Sequence, residues 1–281
     1  AGRNVFHKVA IINATYQAGN LYFSGKYIAD SVIADFPNEF RPKGHLYGLT
    51  LSNNSGDPTN DIDIAAGEAV DNADGELMML AAALTKKLDV AWAVGTNQGG
   101  LFSGAIANAT YYVFLVKRVD TDVVDAGFST SATCTDIPAG YTKYRRIGFI
   151  IRAAGAIRLF AQYDDRFVWK ALVSDRAIAA IPNTTRNLQT LTVPLNTVAI
   201  LEVIYNGAAG NPNGWIRPTT YTDAAASATN RTVAATVGVT GALEMQIEVD
   251  ASCQIAYRGD STNLALGFLT AGYVDTRGRV A

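Results

Sequence analysis

The sequence predicts an all-β protein: antiparallel β-sandwich or jelly-roll-like units behind a short N-terminal strand-containing arm. Three observations predict it. Short runs of alternating apolar and polar residues recur along the chain, the period that puts one face of a strand in a core and the other in water. Turn residues punctuate these runs at roughly the 10–12-residue spacing of sandwiches and barrels. No stretch sustains the heptad pattern of a coiled coil.

Taken in order, VAIINATY and GNLYFSGKYIADSVI read as short strands around turns at Gly19-Asn20 and Gly25. DFPNEFRPKG follows, and Pro37, Pro42 and Gly44 exclude it from a ladder, so a boundary is placed near residue 44. Residues 1–44 form the arm. HLYGLTLS, IDIAAGEAV and LMMLAAALTKKL are read as strands separated by the polar loops NNSGDPTND and DNADGE. DVAWAVGTNQGGL reads as one helical turn and a loop. YYVFLVKRV and VVDAGFSTS flank a hairpin turn at Asp120-Thr121-Asp122. YRRIGFIIRA and AIRLFAQYD flank one at Ala154-Gly155, and FVWKALV follows a turn at Asp164-Asp165. This meander completes a first β domain, 45–175. SDRAIAAIPNTTR is read as the link to a second, 176–281, whose short strands include VAILEVIYNG, ALEMQIEVD and LALGFLTAGYVD. In LEMQIEVD, Leu243, Met245, Ile247 and Val249 point one way and Glu244, Gln246, Glu248 and Asp250 the other.

The 281 residues carry a formal charge of −2, are 49% hydrophobic and only 17% charged. That charged share is low against the usual quarter. It implies a surface covered by Thr, Asn, Ser and Gly, or buried against other chains. The charge excludes the basic stripe of a nucleic-acid binder. The cluster Lys143, Arg145, Arg146 and Arg152 is read as a solvated or interface face of a strand, with the gripping of an anion as the alternative. The apolar run in AGRNVFHKVAIINATY is shorter than a secretory core, and no stretch reaches the ~18 apolar residues of a membrane span. Cys134 and Cys253 are read as free thiols, with a disulfide between them as the alternative. With His7 and His45 they lack the spacing of a zinc site, and no cofactor motif is present.

Several motifs carry competing readings. Asp57, Asn60, Asp61 and Asp63 offer oxygen ligands for Ca²⁺, but without the Gly and terminal Glu of an EF-hand; turn formation is the plainer use. Arg258-Gly259-Asp260-Ser261 spells an integrin-recognition sequence where a hairpin needs a turn. Asp164 with Asp165, and Glu202 with Glu248, are the carboxylate pairs a glycan depolymerase would need, about 5–10 Å apart across a groove. GTNQGG lacks the Lys-Ser/Thr ending of a phosphate loop, and no G-x-S-x-G elbow accompanies the two histidines. Trp215, in AGNPNGWIRPTTY, is the leading candidate for a surface contact such as sugar stacking, with Tyr205 and Tyr221 flanking the same loop.

TNDIDIA, AWAVGTNQGGL, the P-x-G-Y-x-x-x-RRIG block from Pro138 to Gly148, FVWK and the ending AGYVDTRGR resemble a module of bacteriophage and prophage structural proteins, tail-fibre-like and other virion components. The resemblance covers roughly residues 46–281. It implies a virion location and brings no catalytic set with it. The expectation is therefore a structural virion protein, assembled in the host cytoplasm, that acts as a fibre, tail-tip or host-binding component without turnover. It would contact other virion proteins, form a homo-oligomer (a trimer, if a fibre) and bind a host surface glycan. A capsid-attached head fibre or decoration protein and a glycan-degrading tailspike are the alternatives.

Overall fold

The computed structural model describes residues 14–17, 20–23 and 43–279. The chain forms two compact units, Ala1–Pro42 and Lys43–Ala281. In the first, β1 (Ala14–Gln17) pairs antiparallel with β2 (Asn20–Phe23); the rest of the strand readings before residue 43 lie outside the described residues.

The second unit contains only strands and their connections. In order these are β3 (Leu46–Gly48), β4 (Leu51–Asn53), β5 (Asp61–Ile64), β6 (Gly67–Val70), β7 (Leu77–Leu80), β8 (Leu84–Ala91), β9 (Gln98–Leu101), β10 (Thr110–Lys117), β11 (Val124–Ser129), β12 (Lys143–Ala153) and β13 (Ala156–Ile157). There follow β14 (Phe160–Tyr163), β15 (Arg166–Ala180), β16 (Asn187–Thr190), β17 (Val198–Gly207), β18 (Asn213–Pro218), β19 (Val233–Ala234), β20 (Gly241–Glu248), β21 (Gln254–Gly259) and β22 (Leu264–Val274). They build an eight-stranded sheet ordered β13-β12-β10-β11-β9-β8-β5-β4, a five-stranded sheet β14-β15-β22-β17-β20, a four-stranded sheet β16-β21-β18-β19 and a three-stranded sheet β3-β6-β7. The all-β sandwich class expected from the sequence is the class observed.

The turn chemistry explains the hairpins. Ala154 and Gly155 both adopt positive φ, 50° and 83°, and Arg152–Ala153 pairs back onto Ala156–Ile157. Asp164 takes φ 52° where β14 turns into β15, and Asp122 takes φ 55° between β10 and β11. These left-handed positions match the right-handed twist of the paired strands, which is why Gly and Asp occupy them.

Three readings change. DVAWAVGTNQGGL holds no helical turn: it is the end of β8, a loop and β9, and β9 pairs parallel with both β8 and β11. LMMLAAALTKKL is two strands, β7 and β8, in different sheets. The segment 174–186 is strand through Ala180 rather than a link. Strands on both sides of residue 175 share the five-stranded sheet, with β22 lying between β15 and β17. One hydrophobic core runs from Leu49 through Phe114, Phe167 and Leu201 to Tyr273. Phe167 and Tyr273 stack across β15 and β22 at 4.8 Å and 4°.

Candidate functional site

Of the expected aromatic contacts, Trp215 is not at the surface. It lies within β18, is 1% exposed, and packs with Ala226 and Ala256. Its indole Nε1 donates to Ala224 O at 2.8 Å. The Pro/Gly/Asn-rich surroundings suggested a loop, but Gly214 pairs with Gly259 and Trp215 with Arg258, so the ring enters a small second core. Tyr221 is exposed, and Arg217 lies between it and Trp215, 5.9 Å and 5.4 Å from the two rings. Tyr205 sits elsewhere, on β17, half-buried opposite Gly241, whose missing side chain leaves room for the phenol ring. The three residues form no common platform.

The oxygen-rich loop at 57–63 is a set of turns. Asp57 Oδ1 accepts from the N–H groups of Thr59 and Asn60 at 3.0 and 3.2 Å. Asp63 Oδ1 accepts from Asn54 Nδ2 and Thr85 Oγ1 at 2.8 and 2.6 Å. Burial, together with the charge of Asp57, raises the Asp61 carboxyl above its ordinary value. Among the described residues no three His, Cys, Asp or Glu side chains converge as a metal site would require.

The other motifs are also tied inward. Arg258 pairs with Asp223 at 2.8 Å and donates to Thr184 O, while Asp260 accepts from Asn213 N and Nδ2 at 2.9 and 2.8 Å. Glu202 faces Glu244 across the β17–β20 ladder rather than Glu248, which faces Val198. Asp165 is engaged by Arg279. Cys134 and Cys253 are free, and burial pushes the Cys134 thiol up to about 12.

In the cluster Lys143, Arg145, Arg146 and Arg152, the first three are drawn into partners within the fold, while Arg152 bonds Asn108 Oδ1 and Gly155 O at the surface. Arg146 makes a bidentate pair with Asp275 at 2.6 and 2.9 Å and lies over the Phe149 ring at 4.3 Å. Lys143 reaches Asp71 at 3.2 Å. Arg145 is 3% exposed and donates through Nη2 to Gly278 O at 2.6 Å. Burial lowers its basicity, partly offset by Asp74. Arg277, also 3% exposed, donates to the carbonyls of Ile147, Gly48 and Leu49. Gly48 and Leu49 hold positive φ of 66° and 53°, and this guanidinium satisfies their carbonyl oxygens where β3 ends in a left-handed turn. Burial brings Arg277 down to about 10. The RRIG block and the DTRGR ending are therefore two halves of one clamp.

A second buried polar centre underlies AWAVGTNQGGL. Lys86 is 0% exposed, and its ammonium meets Asp125 Oδ1 at 2.9 Å, Ala93 O at 2.7 Å and Gly95 O at 3.2 Å. Asp125 in turn accepts from Gly95 N and Ala126 N, each at 2.6 Å. Trp92 caps the centre, its ring 5.3 Å from Lys86 Nζ and its Nε1 on Ala126 O. Gly99 faces Ala91 O so closely that a Cβ there would lie 1.8 Å from it. Sequence reasoning missed this centre; the available signal was Lys86 at an inward position of the strand run LTKKL, with Asp125 in the later apolar run VVDAGF.

Among the described residues, one strand edge left open along much of its length is that of β15, where Gln189 Nε2 donates to Asp175 O and Arg176 Nη2 to Ala179 O and Ala180 O. Beyond Trp169, which pairs with β14, this strand is laddered to β22 alone among the described strands. Ala171, Leu172, Ala177, Ile178, Ala179 and Ala180 are exposed along it, Leu172 by 53% and Ile178 by 42%. The opposite edge of the sheet, β20, displays Glu244, Gln246 and Glu248 outward.

No protein-family model matches the chain. No curated protein matches it. Among solved structures, the chain has slight likeness to infectious bursal disease virus proteins. One is from the structure of the Gx strain, at 10% identity and TM-score 0.25, covering 84% of this chain and 72% of that one. Another is the VP2 subviral particle, at 9% identity and TM-score 0.20, covering 85% and 73%. A third is from the T13 viral particle, at 10% identity and TM-score 0.21, covering 85% and 72%. Superpositions this loose carry neither fold nor role from those proteins to this chain.

Proposed function

We propose that this chain is a structural component of a bacteriophage particle that works by assembly and surface binding, without turnover, as a fibre, tail-tip or host-binding protein. Two things support the reading: the resemblance of TNDIDIA, AWAVGTNQGGL and the RRIG block to phage structural modules, and the edge of β15. The edge is the observation that carries it. An exposed strand edge rich in apolar residues can pair with another strand, and on β15 the stretch 177–180 is exposed and uncharged, whereas β20 displays Glu244 and Glu248. The occupant of the β15 edge in this reading is a second copy of the chain, which would extend the sheet between subunits. Residues 1–44 would attach the assembly to other virion proteins, and repeated weak contacts with a host surface glycan would add by avidity.

The test is the mass of the purified chain by light scattering, for the wild type and for Leu172→Lys/Ile178→Lys. A multiple of the chain mass, three for a fibre, that falls to a single chain in the variant with an unchanged β-sheet circular-dichroism spectrum supports the reading. A wild type that stays a single chain at every concentration overturns it. Locating the chain by mass spectrometry in separated heads and tails then separates a tail component from the head-fibre or decoration alternative.

A further inference from the structure

Beside the Arg145 clamp lies a cavity of about 330 Å³, and its wall is cationic. Arg145 and Arg146 both line it, with Asp275 as the carboxylate present. Asp275 is already matched by its bidentate bond to Arg146. Among the described residues Arg145 has no ion-pair partner. Its carboxylate neighbours are engaged elsewhere: Asp71 accepts from Lys143 and from the Gly75 and Glu76 N–H groups, and Asp74 accepts from Gly44 N. The Arg145 Nε is enclosed without a hydrogen-bond partner. Arg152, Arg158 and Arg186 also have an unbonded Nε, but all three are only partly buried and none lines this cavity. A guanidinium carries five donors and stays charged, so burying it with one carbonyl bond and no counter-anion is costly.

We propose that this cavity is an oxyanion-binding site, taking a sulfate, phosphate or carboxylate group against Arg145. The cavity volume admits such a group with part of the molecule bearing it. Asn72, Asn196 and Thr276, exposed on the wall, supply neutral polar groups at the mouth, and Val198 supplies an apolar patch beside them. The group could come from a free inorganic ion or from the acid of a sugar. Arginine fits either because its planar fork matches both geometries.

The test is calorimetric titration of the full chain with sodium sulfate, inorganic phosphate and glucuronate, at ionic strength matched with sodium chloride. Glucose serves as the neutral counterpart of glucuronate. One saturable site for at least one oxyanion is expected. Arg145→Gln should weaken it by about tenfold or more, the loss of a charge-assisted bond. Asn196→Asp, an exposed change that leaves the Arg145–Gly278 bond alone, should weaken it about two- to fivefold by like-charge repulsion. If Arg145→Gln does not fold, Asn196→Asp decides. Preference for sulfate or phosphate points to the inorganic ion, and preference for glucuronate without glucose binding points to the acidic sugar. Absence of saturable binding by all three anions, or binding that neither variant weakens, overturns the proposal.

Discussion

Replacing Asp125 with Asn keeps the shape of the buried centre under AWAVGTNQGGL, removes its negative charge and turns one of its two acceptor oxygens into a donor facing a backbone N–H. Lys86 and Asp125 are 0% and 1% exposed, and every ammonium proton has an acceptor, Asp125 supplying the one that carries charge. Stranding one member of such a pair costs about 3–5 kcal/mol. For a folded unit of this size, each kcal/mol shifts the melting temperature by about 2–4 °C, so Asp125→Asn should melt roughly 6–20 °C lower. Urea unfolding followed by tryptophan fluorescence measures the same loss, with an unchanged slope. Lys86→Met should cost a similar amount, because it strands the carboxylate. The double variant should be more stable than the two single losses added together, by about 0.5–3 kcal/mol. It should not regain wild-type stability, since Ala93 O and Gly95 O lose the Lys86 ammonium and the single Asn oxygen cannot serve both Gly95 N and Ala126 N. Burial lowers the Lys86 ammonium below its ordinary 10.5, so the unfolded chain holds that proton more firmly. On this group alone, stability therefore rises as pH climbs from the depressed folded value toward 10.5. A loss under about 1 kcal/mol for Asp125→Asn, or strict additivity, would refute the assignment of this pair as a structural centre.

Gly99→Ala should destabilise by about 3 kcal/mol or more in the same urea assay, because its Cβ would stand 1.8 Å from a backbone oxygen that cannot rotate away. Trp215→Ala should cost about 3–5 kcal/mol, whereas Tyr221→Ala should cost under about 1 kcal/mol; equal effects would mean that Trp215 is not buried in solution. At Asp71, burial opposes ionisation, but the N–H bonds from Glu76 and Gly75 and the Lys143 ammonium outweigh it, so the folded carboxyl titrates below 3.8. The Asp71→Asn penalty should be full at pH 7 and shrink as pH falls below 3.8 through that lower value, as read by urea midpoints of both proteins. In thiol titration of the folded chain, Cys134 should stay unreactive until denaturant is added, since burial holds it as the neutral thiol.

Most of the fold was legible because its signals are local. Alternation in LEMQIEVD marks a strand whichever sheet receives it, and Leu243, Met245 and Ile247 do face inward while Glu244, Gln246 and Glu248 face water. Two-residue turns at Ala154-Gly155 and Asp164-Asp165 are set by which residues tolerate positive φ. What stayed hidden depends on distant partners. β9 is a parallel neighbour of β8 with a short connection, an arrangement that local patterning does not distinguish from a loop. The 174–186 segment looked like a link because small residues and Pro182 weaken its strand signal. Its pairing comes from β22, about ninety residues away, through a ladder broken by three register shifts. Trp215 misled for a related reason. Its neighbours Pro212, Asn213 and Gly214 are turn formers by composition, yet Gly214 is there because Leu264 approaches within 2.4 Å of where its Cβ would be.

The charges tell the same story at the level of the whole surface. A chain with 17% charged residues already has little to spread over its exterior. Among the described residues, eight charged side chains are then withdrawn from water: Asp61, Asp71, Lys86, Lys117, Asp125, Arg145, Asp275 and Arg277. Several do covalent-like work between distant segments: Arg277 joins its own strand's end to the Gly48-Leu49 turn and to β12, and Lys117 joins Glu76 to Asp122. The exterior is left poorer in charge than the composition suggests, while Tyr47, Leu172, Ile178 and Leu188 remain exposed on it. A weakly charged surface with an open apolar strand edge lacks the repulsion that keeps monomers apart. The charge-poor exterior is thus partly a consequence of how the chain is held together and, on the proposed reading, a condition for its subunits to meet.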